Sequence, residues 1–219
     1  MRSDVTLSRR TILKWSGTAA GTVLVCGVAL PNFGIGTAWA TSLGEGDVAI
    51  LNYAYALEQL EAAFYTKVTD HPFSGVTKNE TETFVEIRDH EEAHKSFLKK
   101  ALGDHAIPEI EVDFSQVDFK QRSSVLATAD SFENLGIAAF NGAGPLLSNA
   151  DYLAAAGTIV SVEARHAAMI AALLHGPSAA SAGKGHVGEK GLDGTMPPTA
   201  VLAKAKPFIK TALTAPSLK

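Results

Sequence analysis

Cysteine is nearly absent: one residue, Cys26, in 219. That excludes an internal disulfide and any cysteine-based zinc or iron–sulfur site. Basic charge is not in excess either, with 19 Lys and Arg against 23 Asp and Glu. A formal net charge of −4 carries no basic footprint, so nucleic acid is not an expected partner. No Gly-x-Gly-x-x-Gly follows a strand-like run, and strands do not alternate with helices, which leaves no support for a dinucleotide or P-loop fold. Apolar residues make up 46% of the chain, enough for a globular core.

The first forty residues read as an address. Ser8-Arg9-Arg10-Thr11-Ile12-Leu13-Lys14 resembles the twin-arginine export signal. A weakly apolar run, residues 15–30, follows; it is shorter than the roughly 20 residues of a membrane span. Ala38-Trp39-Ala40 fits the small-x-small cleavage pattern. Cleavage is expected after Ala40, with an uncleaved anchor as the alternative. A lipoprotein signal is disfavoured by the bulk of Val25 before Cys26. Loss of this segment removes Arg2, Arg9, Arg10, Lys14 and Asp4, leaving 15 basic and 22 acidic residues, with no Cys or Trp. The expected location is periplasmic or secreted, with the export machinery as a partner and no membrane attachment after cleavage.

The mature chain reads as four long helices at about 47–69, 79–102, 124–141 and 150–175. Residues 104–122 alternate like an extended crossover, and Gly142-Ala143-Gly144-Pro145 reads as a stop. A Gly-, Ala- and Ser-rich stretch, 178–198, is expected to be a mobile loop, with a short fifth helix at 200–213. Two hairpins joined by one long crossover make an all-α four-helix bundle. The expected divisions are a signal at 1–40, a bundle at 41–176 and a tail at 177–219.

Acids occupy places where leucines belong. A core-facing helical stripe recurs at i, i+3, i+4 and i+7. In the second helix that stripe is Phe84, Ile87, Glu91, His94, Leu98, Ala101; in the fourth it is Ala156, Ile159, Glu163, His166, Ile170, Leu173. The first helix places Glu58 among Leu51, Ala54, Tyr65 and Val68, and the third places Glu133 among Leu126, Ala129, Gly136 and Phe140. A Glu and a His three apart leave the same helical face and can reach one ion. Chance placement of 13 Glu and 7 His would give fewer than one Glu-x-x-His; this chain has two, in matching hairpins. Glu58 precedes Tyr65 by the same seven residues that separate Glu133 from Phe140. Buried, unpaired carboxylates cost several kcal/mol each, and divalent cations remove that cost.

These residues resemble the ferritin-like superfamily of di-iron and di-manganese carboxylate bundles. The stretches 56–65 (ALEQLEAAFY) and 162–168 (VEARHAA) look like its exported, desiccation-related branch. The resemblance implies Glu58 and Glu133 as single-Glu ligands, Glu91 and Glu163 as bridges, His94 and His166 as one ligand per metal, and two Fe or Mn ions. Glu61, one turn from Glu58, is read as an acid behind the ligands or at the surface. Tyr65 is read as a hydrogen-bond donor to a ligand or to bound oxygen. The implied chemistry is oxidation of Fe(II) by O₂ or H₂O₂, or manganese-dependent breakdown of H₂O₂; the alternative is non-enzymatic metal storage or protection during drying. A homodimer is the default assembly. The sequence departs from bacterioferritin-like proteins at His90 and Val162, where an Asp is expected before each Glu-x-x-His, so the partners of the ligand histidines are left open. His71, His105, His175 and His186 are read as solvated or capping residues.

Overall fold

A computed structural model describes residues 40–179 and 186–218. The arginine pair and the rest of the expected signal lie outside the described residues, as do residues 180–185 of the glycine-rich stretch. The described chain is all-α apart from two short strands. Its elements are β1 (Thr41–Ser42), α1 (Gly46–Asp70), α2 (Lys78–Leu102), α3 (Arg122–Ala143), α4 (Ala150–His175), α5 (Pro198–Ala205) and β2 (Leu213–Thr214).

The four long helices form two antiparallel hairpins, α1 with α2 and α3 with α4. The hairpins meet through α1 against α3 and α2 against α4. Local chemistry sets the ends. Thr77 caps α2 in a reciprocal box: its hydroxyl accepts from the Glu80 N–H at 3.2 Å, while the Glu80 carboxylate accepts from the Thr77 N–H at 2.8 Å. That box starts α2 one residue before the expected 79. Glu80 also receives Arg122 Nε at 2.5 Å, and Arg122 Nη2 donates to the Leu173 carbonyl at 2.8 Å. One side chain thus ties the starts of α2 and α3 to the end of α4. At the opposite end, Asn149 caps α4, and both Asp47 oxygens accept backbone N–H groups of Ser148 and Asn149.

α1 is the central helix, with 17 of its 25 residues buried. A helix covered on so many sides needs more than one hairpin partner, and the crossover supplies it. Asn52 donates to the Leu43 and His105 carbonyls at 3.0 and 2.9 Å and accepts the Ile107 N–H at 2.9 Å. Two turns on, Gln59 accepts the Ile110 N–H at 2.7 Å. Phe64 then packs edge-on against Phe114 and Phe132, at 5.8 and 5.2 Å between ring centres.

Some bounds shift. The crossover is non-helical as expected apart from a single opening 3-10 turn, Gly103–His105, and α3 starts at Arg122 rather than 124. α3 ends at Ala143, inside the expected stop at 142–145, and a Cβ at 142 would stand 2.0 Å from the Met196 carbonyl oxygen. Glycine is there because the tail crosses the helix at that point, bonded through Met196 N–H to the Ala138 carbonyl. The fifth helix is α5, eight residues long, ending where Pro207 has no N–H to extend the ladder. Beyond it the tail bonds the crossover through Asp113 N–H to Phe208 O and Lys210 N–H to Glu111 O, then β2 pairs in parallel with β1.

Asn52→Ala would leave the Ile107 N–H and two carbonyls without their partner in the interior. We expect a loss of about 2–3 kcal/mol, seen as a lower urea midpoint with an unchanged slope.

Candidate metal centre

Each long helix brings one carboxylate to the bundle axis. Glu58 comes from α1, Glu91 from α2, Glu133 from α3 and Glu163 from α4, all fully buried. His94 and His166 follow Glu91 and Glu163 on the same faces, one helical turn along. These six residues form two overlapping groups: Glu58, Glu91, His94 and Glu163, and Glu91, Glu133, Glu163 and His166. Within each group the donor atoms lie within 4.8 Å of one another. Glu91 and Glu163 belong to both. Glu91 turns one oxygen each way: Oε1 stands 2.8 Å from His166 Nδ1, and Oε2 stands 3.5 Å from His94 Nδ1. His94 Nδ1 also lies 3.0 Å from Glu163 Oε1 and 3.5 Å from Glu58 Oε2, and His166 Nδ1 lies 3.4 Å from Glu133 Oε2.

Residues 46–176 match the family model of a ferritin-like domain. The chain belongs to this family. A search of the curated proteins finds no match to it. The ferritin-like bundle accounts for the two hairpins, and its axis holds the carboxylate and imidazole cluster.

Both oxygens of Glu58, Glu91 and Glu163, Glu133 Oε2, and Nδ1 of both histidines are buried with no hydrogen-bond partner among the described residues. The nitrogens and oxygens are close but not aligned on one another. They converge instead on common points between them. Oxygen and imidazole donors in this number suit a pair of divalent cations, and a cation about 2.1 Å from each donor needs only a slight contraction of each group. The residues fit a dinuclear metal site.

Electrostatics show what such a cluster costs without cations. Burial, followed by the Glu163 and Glu91 charges, pushes Glu58 well above the usual carboxylate range. Burial and the Glu91 and Glu163 charges raise Glu133 to about 8, and burial and Glu91 raise Glu163. Burial would raise Glu91 too, but the flanking His166 and His94 imidazoles hold it at about 2. Burial alone would lower the histidines; the surrounding carboxylates win and lift His94 to about 12 and His166 to about 10. Protons would therefore stand in for missing metal charge.

Tyr65 donates its hydroxyl to Glu133 Oε1. Burial, the Glu133 charge and this bond hold the phenol well above its ordinary value, so it stays a donor. Phe140, at the matching place in the second hairpin, brings no hydroxyl. Glu61 is not at the surface: it is 3% exposed, and burial with the charges of Glu163, Glu91, Glu133 and Glu58 raises it strongly. Its Oε1 and Glu163 Oε2 lie 3.2 and 3.5 Å from where a Cβ on Gly136 would stand, so glycine leaves the room these oxygens occupy. His71, His105, His175 and His186 are exposed and belong to neither donor group.

Sequence reasoning missed His90. Its Nδ1 lies 3.0 Å from His166 Nε2, and the two rings are within 11° of parallel with centres 5.2 Å apart, so they meet edge to edge. With His166 Nδ1 turned to the carboxylates, this contact between the outer nitrogen and His90 holds the ring in place. His90 takes over the orienting task that an Asp performs elsewhere. A histidine beside a Glu-x-x-His motif was the only sequence signal. Among the described residues His94 Nε2 has no such partner.

His90→Ala should weaken metal binding about ten- to hundredfold in a chelator competition titration, with His90→Asn, another polar side chain at this position, recovering part of the loss. For metal-stripped protein the pH dependence has a definite sign. Glu133 (4.5 unfolded, about 8 folded) and His94 (6.5 unfolded, about 12 folded) hold protons that the unfolded chain releases, so stability falls as pH rises through these windows. Glu91 acts oppositely, only between about pH 2 and 4.5. The Tm of stripped protein should thus drop between roughly pH 5 and 9, while excess Mn(II) should reverse the trend because bound metal displaces those protons.

Proposed function

We propose that this ferritin-like protein binds two iron or manganese ions and uses them for redox chemistry with dioxygen or hydrogen peroxide. Glu58, Glu133, His94 and His166 would each hold one ion, and Glu91 and Glu163 would bridge. The observation that carries this is Glu91, whose two oxygens face two different histidines. A lone structural ion would need only one of those groups. A carboxylate-rich donor set with one imidazole per ion suits hard, redox-active iron and manganese. A bound pair would supply electrons: two Fe(II) ions can give up two, which with two protons is enough to take O₂ to H₂O₂, or H₂O₂ to two waters.

The chain's own residues set the conditions. The buried bundle keeps bulk water from the carboxylates. Tyr65 holds Glu133 in place through its hydroxyl. Glu61, uncharged when its proton is retained, is an acid with no direct place in either donor group. The twin-arginine motif and Ala38-Trp39-Ala40 support export of the folded protein, and the envelope is where an oxidant-consuming or iron-oxidising bundle would serve. The desiccation-related resemblance of residues 56–65 and 162–168 supports a protective setting.

Elemental analysis of protein purified from its own host should find two Fe or Mn per chain. Addition of Fe(II) in air should give a near-UV absorbance rise, or Mn-loaded protein should consume H₂O₂. Two bound ions without turnover would instead support metal storage. His94→Ala and His166→Ala should each lower metal content and Tm together, since a buried acid loses its partner. Wild-type metal content in both variants would overturn the ligand assignment.

A further inference from the structure

One helical turn from the carboxylates, towards the end of the bundle where α1 begins, lies an apolar cavity of about 30 Å³. Three of its walls follow from helical register. Ala54 precedes Glu58 by four residues on α1, Leu98 follows His94 by four on α2, and Ile159 precedes Glu163 by four on α4. Four residues is one turn on the same face, about 6 Å along the axis. The cavity floor is therefore the layer of side chains that covers the candidate metal centre. Its rim reaches solvent at Phe97, 44% exposed. Nearly all of the lining is hydrocarbon.

A water molecule needs two to four polar partners to be held in a cavity. Only two polar side chains stand in the wall, Tyr53, which is fully buried, and Tyr152, which is half-buried. The Tyr53 hydroxyl has no hydrogen-bond partner among the described residues. Burial and the charge of Glu61 raise the Tyr53 phenol, so its hydroxyl keeps its proton. The space exceeds the roughly 10–15 Å³ that one water-sized sphere needs. It is too small for a drug-sized ligand. Its size and apolar walls match a diatomic gas.

We propose that this cavity is a dioxygen-binding antechamber that feeds the candidate metal centre. The inference rests on the redox reading above for its purpose, but not for its existence. An apolar gas partitions out of water into a dry pocket, gaining dispersion contacts at little desolvation cost. The cavity therefore raises the local concentration of O₂ beside the carboxylates. Hydrogen peroxide is polar and gains nothing from these walls.

Xenon is the probe, since it fills dry cavities of this kind. In crystals of the purified protein pressurised with xenon, an atom should appear between Ala54, Leu98 and Ile159. In Ala156→Leu, which fills the cavity from its half-buried rim, that atom should vanish. The same variant should keep two metals per chain, slow O₂-driven Fe(II) oxidation by at least about tenfold and leave H₂O₂-driven oxidation within about twofold. Ala101→Leu plugs the same cavity from α2 and serves if Ala156→Leu folds poorly. Absence of xenon from the wild-type cavity, or wild-type O₂ kinetics in a plugged, folded variant, would overturn the proposal. The xenon measurement needs no metal, so it decides the cavity even where metal analysis overturns the redox reading.

Discussion

Five carboxylates share the interior of one small bundle, and no buried Lys or Arg answers them among the described residues. At 4 Å, two like charges repel by about 4 kcal/mol at an effective dielectric of 20. Such a cluster survives only if positive charge enters it, as protons or as cations. The two histidines supply part of that charge and draw Glu91 into the ionised form, while Glu58, Glu61, Glu133 and Glu163 are driven towards their neutral forms. A protein with no use for cations would reach lower energy with Leu or Met at these positions, as buried ion clusters replaced by apolar residues show. The persistence of acids on all four helices is thus an energetic argument for cation binding, independent of any family likeness.

The rest of the fold can be understood as bracing for that cluster. Four helices must hold their carboxylates in register to a fraction of an ångström, and helix–helix contact between the hairpins is sparse compared with contact inside each. The bracing comes from elements outside the bundle. Asn52 and Gln59 tie the crossover to α1, the tail ties the crossover through Phe208 and Lys210, and β2 pairs with β1 at the start of the bundle. Arg122 and Glu80 lock the other end. The Asn52 and Gln59 contacts also satisfy polar groups that would otherwise be buried unpaired.

What was legible in the sequence was what helical periodicity makes local. Glu91 with His94, and Glu163 with His166, are three residues apart, so their common face follows from 3.6 residues per turn without knowing any tertiary contact. Leu51, Ala54, Glu58, Tyr65 and Val68 lie on one buried stripe for the same reason. What was not legible depends on a partner far along the chain. His90 meets His166 across 76 residues, and Asn52 meets Ile107 across 55. No local pattern distinguishes such a side chain from a solvated one. Glu61 stayed ambiguous because α1 is buried on most of its surface, so a residue one turn from Glu58 lies inward as well. The need for glycine at 142 was equally hidden, because its neighbour is a backbone carbonyl 54 residues away.

The two hairpins have a matching pattern, yet the site they build is not symmetric, and the asymmetry has a consistent direction. Beside His166 and Glu133 every outer atom is held: Tyr65 donates to Glu133, and His90 meets His166. Beside His94 and Glu58 the corresponding groups are missing. Phe140 stands where symmetry with Tyr65 would put a hydroxyl, and both oxygens of Glu58 lack a hydrogen-bond partner among the described residues. The His94 side chain is 12% exposed, whereas that of His166 is 5% exposed. Phe140 instead lines the apolar cavity above the cluster. The residue that brings no hydroxyl to its half of the repeat thus serves as a hydrocarbon wall. The half with Glu133 and His166 is fixed by its surroundings; the half with Glu58 and His94 is freer, closer to solvent and to the cavity. Glu58 is the carboxylate able to adjust to whatever enters the cluster, because a carboxylate without hydrogen bonds can shift at little cost, while one held by a buried tyrosine cannot.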